Sequence, residues 1–151
     1  MPLAVAFGFG PERWVAAVGG ATTASQDVVV LGARDPEEAA DIAGLLAGTL
    51  APLTVLGPGE LDRVRVPAMP FWIHLDVDVL DERAMPATDY LMPGGLDWDE
   101  LTALMTPLGA SRALAGLSVG CVNPEKDPDG TYVERTCALL ERVLVHHAGH
   151  G

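Results

Sequence analysis

The run Pro70-Phe71-Trp72-Ile73-His74-Leu75-Asp76-Val77-Asp78 constrains this chain more than any other segment. It has the length of a β-strand, is nearly continuous in apolar residues, and closes on carboxylates. A strand with so little alternation is expected to be buried on both faces, which requires a parallel sheet covered on both sides. The other elements suit such a sheet. Asp27–Gly32, led in by Ala24-Ser25, is a β-branched run ending in glycine. Thr54–Leu56 is another strand, closed by Gly57-Pro58-Gly59, and Leu114–Val122 is the last. Asp35-Pro36-Glu37-Glu38 combines a capping aspartate, a proline at the first helical position and a capping-box glutamate. The helix it opens is expected to reach about Leu50, with Ile42, Leu45, Leu46 and Leu50 on one face. Asp97-Trp98-Asp99-Glu100 repeats the pattern for a helix to about Leu108, with Gly109 as its stop. An early helix is expected over Glu12–Val18, and a last one, capped by Thr131 with Glu134, through about His147.

Four strands interleaved with helices imply right-handed crossovers. The expected fold is α/β, a three-layer αβα arrangement around a mostly parallel sheet of about four strands. A chain of 151 residues suits a single domain over 1–151. Hydrophobic residues make up 49% and aromatic residues only 5%, which favours an aliphatic core over an aromatic-rich sandwich. Ligands of such sheets gather outside the carboxyl ends of the strands. The residues following Asp27–Gly32, Phe71–Asp78 and Leu114–Val122 are therefore where function is expected.

Nine Lys and Arg against 21 Asp and Glu give a formal charge of −12, which argues against nucleic acid or an anionic membrane surface as partner. No apolar run approaches the roughly 20 residues of a membrane span. The start Met1-Pro2-Leu3-Ala4 has no basic flank, so no signal peptide is expected. The two cysteines, Cys121 and Cys137, give no disulfide framework, so a cytoplasmic location is expected.

Along an extended strand Asp76 and Asp78 point to one side, with Val77 opposite. Two carboxylates so placed repel each other unless a cation neutralises them. Oxygen donors suit Mg, Ca or Mn, whereas zinc more often recruits Cys or His. The plainer alternative is that these acids accept hydrogen bonds from the amides of the next loop.

The residues that follow favour the metal. Asp76-x-Asp78-x-x-Asp81, then Met85-Pro86-Ala87-Thr88, then Pro93-Gly94-Gly95-Leu96 resemble a signature of the arginase/agmatinase (ureohydrolase) family. Val30-Leu31-Gly32-Ala33-Arg34-Asp35 is similar to the family's preceding strand and Gly-x-Arg-Asp turn. Asn123-Pro124 with Asp127 resembles its closing Asn-Pro segment, and Met1-Pro2-Leu3-Ala4 the start of one of its mid-chain helices. The resemblance runs over essentially the full chain and identifies it with the C-terminal half of an arginase-like fold. It implies a manganese-dependent hydrolase of linear amidine or guanidine carbon–nitrogen bonds, with a small-molecule substrate. It also implies Asp76 and Asp78 as metal ligands, Asp76 bridging two ions. His74 and Asp81 are the supporting residues around them, and a buried imidazole satisfied elsewhere is the alternative for His74.

Two departures narrow this. The family's other ligands, a Gly-Gly-x-His and an Asp-Ala-His-x-Asp cluster, do not occur in the chain. Of its four histidines, His146, His147 and His150 form a C-terminal cluster that reads as a solvated tail able to scavenge metal in vitro. Cys121, in Cys121-Val122-Asn123-Pro124, stands where the family carries the Glu that grips the guanidinium, and a thiol cannot give the paired, charge-assisted hydrogen bonds of a carboxylate. A buried structural thiol is its plain reading, and an ordinary turn that of Asp127-Pro128-Asp129-Gly130. No catalytic or substrate-binding residue is assigned. Half a metal site implies low activity for this chain alone, and an exposed apolar face that draws a second copy or a companion N-terminal half. The alternative is a non-catalytic binding or scaffold relative.

Overall fold

A computed structural model describes residues 2–34 and 54–144. The helix expected over Asp35–Leu50 and the cluster His146, His147 and His150 lie outside the described residues. Contacts divide the chain into two compact units, Met1–Gly57 and Pro58–Gly151.

In the first unit, helices α1 (Pro2–Ala6) and α2 (Glu12–Ala17) precede strands β1 (Val29–Leu31) and β2 (Thr54–Leu56). The strands pair in parallel, with Val29 opposite Thr54 and Leu31 opposite Leu56. β1 is shorter than its β-branched run because Ser25–Asp27 folds as a 3-10 turn. The amide of Gly32 still donates to the Leu56 carbonyl at 2.8 Å just beyond the strand.

The second unit pairs β3 (Phe71–Asp76) in parallel with β4 (Leu114–Gly120), and adds helices α3 (Trp98–Gly109) and α4 (Thr131–Leu144). The register sets His74 opposite Ser118 and Asp76 opposite Gly120, so the two strands end together. The four strands thus keep the expected parallel sense but form two two-stranded sheets, β1-β2 and β3-β4. α3 starts as its sequence demands: Asp97 accepts from the Glu100 amide at 2.7 Å, and Glu100 accepts from the Asp97 amide at 2.9 Å. Its expected stop, Gly109, is instead its last helical residue and a point of close approach. A Cβ there would sit 2.2 Å from Val143 Cγ1 and 2.4 Å from the Val143 carbonyl oxygen, so only glycine lets α3 and α4 meet.

The cap of α4 also differs from expectation. The Thr131 amide donates to Asp129 at 3.2 Å, the next two are taken by Asp127, whose carboxylate accepts from Tyr132 at 3.0 Å and Val133 at 2.8 Å, and the Glu134 amide donates to the Gly130 carbonyl. A carboxylate accepts from both amides, and its negative charge suits a helix N-terminus better than a neutral hydroxyl does. This makes Asp127-Pro128-Asp129-Gly130 a helix-entry turn.

The core lies on one face of β3-β4, where Leu75, Val77, Leu80, Met85, Leu96, Trp98, Leu101, Met105, Leu139 and Val143 are buried together. The opposite face corrects the expectation of burial on both sides. Trp72 is 62% exposed and His74 is exposed too. Among the described residues, that face carries an aromatic ring laid on the sheet. The Trp72 ring fills the space over Gly116, where a Cβ would fall 2.2 Å from it. On the β4 and α4 side, Leu114, Leu117, Val119, Leu140 and Leu144 line an open apolar recess of about 410 Å³.

Candidate functional site

The carboxyl ends of β3 and β4 bring three donor side chains together. One oxygen each from Asp76 and Asp78 and the sulfur of Cys121 lie within 4.8 Å of one another. The route differs from simple strand alternation. β3 ends at Asp76, and Val77–Val79 is a 3-10 turn, so the turn rather than the pleat carries Asp78 to Asp76. Val77, 1% exposed, anchors that turn in the core. Cys121 arrives because Asp76 pairs with Gly120, one residue earlier on β4.

Asp76 Oδ1 is buried without a hydrogen-bond partner. Leaving a buried polar atom unpaired is costly, of order 1–3 kcal/mol, so such an oxygen marks a place where a cation would be stabilised. Cys121 is exposed as a residue, which corrects its reading as a buried structural thiol. Local desolvation of the sulfur, a hydrogen bond to Asp76, and the charges of Asp76, Asp78 and Asp89 push its thiol up to about 12. Its backbone holds φ at 64°, a region side chains adopt at a cost of roughly 1–2 kcal/mol.

His74 and Asp81 have other partners. His74 Nδ1 lies 2.8 Å from Ser118 Oγ, which also accepts from Trp72 Nε1 at 3.1 Å. The imidazole is therefore exposed rather than buried, and satisfied across the strand pair. Asp81 serves the loop: it accepts from the Arg83 amide at 3.0 Å and the Gly94 amide at 2.8 Å. Those two bonds, Arg83 first, hold its carboxyl below the usual range. The loop-capping alternative thus describes Asp81.

Asp89 was not singled out by its sequence context, yet it belongs here. Lys126 Nζ lies 2.9 Å from its carboxylate and Asn123 Nδ2 donates to it at 2.8 Å, and these hydrogen bonds, Lys126 first, lower its pKa. With Tyr90, Cys121, Val122, Asn123 and Pro124 it lines a recess of about 180 Å³ beside the donor cluster. Its signal was the Asn123-Pro124-Glu125-Lys126 turn, whose lysine needs an acid partner.

A carboxyl held below its unfolded value of about 3.9 adds stability above that pH, and the contribution fades as pH falls through the folded value. Asp81→Asn should therefore flatten the loss of stability below about pH 4, measured as urea midpoints between pH 3 and 6. An unchanged acid limb would show that the loop does not depend on this carboxylate.

Parallel strands whose shared carboxyl ends gather acids define an α/β protein with a candidate metal centre. The comparisons name its kin. The arginase family model matches residues 17–148. The chain is 32% identical over 116 residues to N(omega)-hydroxy-L-arginine amidinohydrolase of Streptomyces lavendulae, covering 73% of this chain and 40% of that protein. Among solved structures it resembles the arginase of Bacillus cereus (TM-score 0.79, 23% identity) over 95% of this chain and 53% of that one. It also resembles formimidoylglutamase of Bacillus subtilis (TM-score 0.65, 19% identity) over 91% of this chain and 46% of that one. The chain belongs to the arginase family. It spans 40% of the curated relative's length and about half that of the solved relatives. Among the described residues, no helix is long and apolar enough to cross a membrane.

Proposed function

We propose that this chain carries part of the metal centre of a hydrolase that cleaves a carbon–nitrogen bond of a linear amidine or guanidine. The buried, unpartnered oxygen of Asp76, with Asp78 beside it at the end of β3, is the observation that carries this reading. Family membership supports it, as does the name of the similar Streptomyces protein, an amidinohydrolase.

Asp76 and Asp78 would hold a divalent ion, manganese by family resemblance. When bound, such an ion supplies a Lewis acid and acidifies water. The two carboxylates fit the oxygen shell that manganese prefers, whereas the thiol of Cys121 does not. The remaining work falls to the chain's own residues. Asp81 fixes the loop after the ligands through the amides of Arg83 and Gly94. Asp89, held by Lys126 and Asn123, presents a carboxylate at the adjacent recess, where a cationic or hydrogen-bonding head group would be received.

Two carboxylates and a thiol are fewer donors than an octahedral ion takes. The rest are expected from a companion N-terminal half, which the exposed apolar recess of β4 and α4 would help to hold. The free thiols Cys121 and Cys137 fit a cytoplasmic setting.

The test combines the chain with the N-terminal half of the Streptomyces relative. Release of urea from arginine and agmatine, and of hydroxyurea from N-hydroxyarginine, is followed with and without manganese. Metal-dependent turnover that Asp76→Asn abolishes supports the reading. Turnover indifferent to Asp76, or none from an assembled pair on any amidine or guanidine, overturns it.

A further inference from the structure

The donor set departs from a manganese site at one atom, the sulfur of Cys121. Manganese is served by carboxylate, carbonyl and water oxygens, while thiolate favours zinc and other softer ions. Here the sulfur is grouped with the carboxylate oxygens of Asp76 and Asp78 within 4.8 Å. One of those residues keeps a buried oxygen, Asp76 Oδ1, with no partner. Donors around a zinc ion with bonds of about 2.0–2.3 Å sit roughly 3.5 Å apart. The observed spread therefore closes around one ion with a movement of about an ångström. The end of β4, which delivers Cys121, and the turn Val77–Val79, which delivers Asp78, each meet Asp76 at the strand end.

We propose that Cys121 is a third ligand of this centre, and that the site takes a borderline ion of the zinc or cobalt(II) class ahead of manganese. The inference rests on the reading of Asp76 and Asp78 as ligands. When the ion binds, a sulfur–metal bond forms, the sulfur–hydrogen bond breaks and its proton passes to solvent; no oxidant or reductant takes part. The thiol then acts at the metal instead of standing in for a substrate-gripping carboxylate, and the recess by Asp89 and Tyr90 is left for the head group.

The experiment uses the full chain with His146, His147 and His150 replaced by Ala, so that tail binding is not counted. It is titrated with cobalt(II), zinc and manganese and followed by calorimetry and near-ultraviolet absorption. The expected result is a sulfur-to-cobalt charge-transfer band, with zinc bound more tightly than manganese. Cys121→Ser should erase the band and weaken zinc by at least the 10–100-fold that loss of an outer partner costs, with manganese changed far less. Cys121 is exposed, so the variant is expected to fold, and a thermal melt checks this. Binding that needs Asp76 and Asp78 but shows no band and ignores Cys121→Ser overturns this inference and leaves the wider reading intact. No binding of any of the three ions, even with the N-terminal half of the Streptomyces relative supplied, overturns both.

Discussion

Gly95→Ala is expected to destabilise the second unit by about 3 kcal/mol, the upper part of the range for overpacking a tight site. An added Cβ would lie 2.4 Å from the Asp81 nitrogen, 2.4 Å from the Leu80 carbonyl carbon and 2.7 Å from the Leu80 oxygen. All three are backbone atoms and none can rotate away. They belong to the short bridge in which the Leu96 amide donates to Val79 at 3.0 Å and the Asp81 amide to Leu96 at 2.8 Å. Opening that bridge would uncover Leu80 and Leu96, 2% and 0% exposed. It would also release the loop that follows the Val77–Val79 turn. Urea unfolding reads the effect directly, and a loss under about 0.5 kcal/mol, the size of an ordinary surface change, would mean the loop moves aside freely. The Gly-Gly-Leu turn is thus a packing requirement, with Gly94 at φ 78° giving the amide that Asp81 accepts.

Trp98→Ala should cost about 3–5 kcal/mol, as for other buried aromatics. Trp98 is 8% exposed within the core cluster, its Nε1 donates to the Ala84 carbonyl at 2.9 Å, and the Arg135 guanidinium lies 4.9 Å from its ring centroid. The ring therefore ties the first turn of α3 to the loop after Asp81 and to α4. Trp98→Phe keeps most of the packing and loses the hydrogen bond, so a smaller loss of about 1 kcal/mol is expected. Equal losses for the two variants would place the energy in the hydrogen bond rather than in the burial.

These residues show what was legible. The capping box at Asp97 and Glu100 is a local pattern with a local consequence, and it formed as written. The strand cores and their parallel sense followed from short aliphatic runs separated by helices. What failed to show was decided by distant neighbours. Trp72 and His74 look like buried strand residues, yet their exposure depends on whether a layer covers them. Asp127 caps α4 from five and six residues away, past a nearer threonine that fits the usual motif. Asp76 and Asp78 were found on alternation, but their meeting depends on a 3-10 turn, and the addition of Cys121 on the register of β4. Asp89 became visible only when Asn123 and Lys126 converged on it.

If Asp76 and Asp78 hold a divalent ion, its uptake depends on both carboxylates. Equilibrium dialysis against manganese, zinc and cobalt(II), on the chain with its three tail histidines replaced, tests it most directly. Saturable uptake by this protein is expected, with its loss in both Asp76→Asn and Asp78→Asn while folding is unchanged. Equal uptake by the protein and the two variants, or none by any of them even with the N-terminal half of the Streptomyces relative supplied, would rule this out.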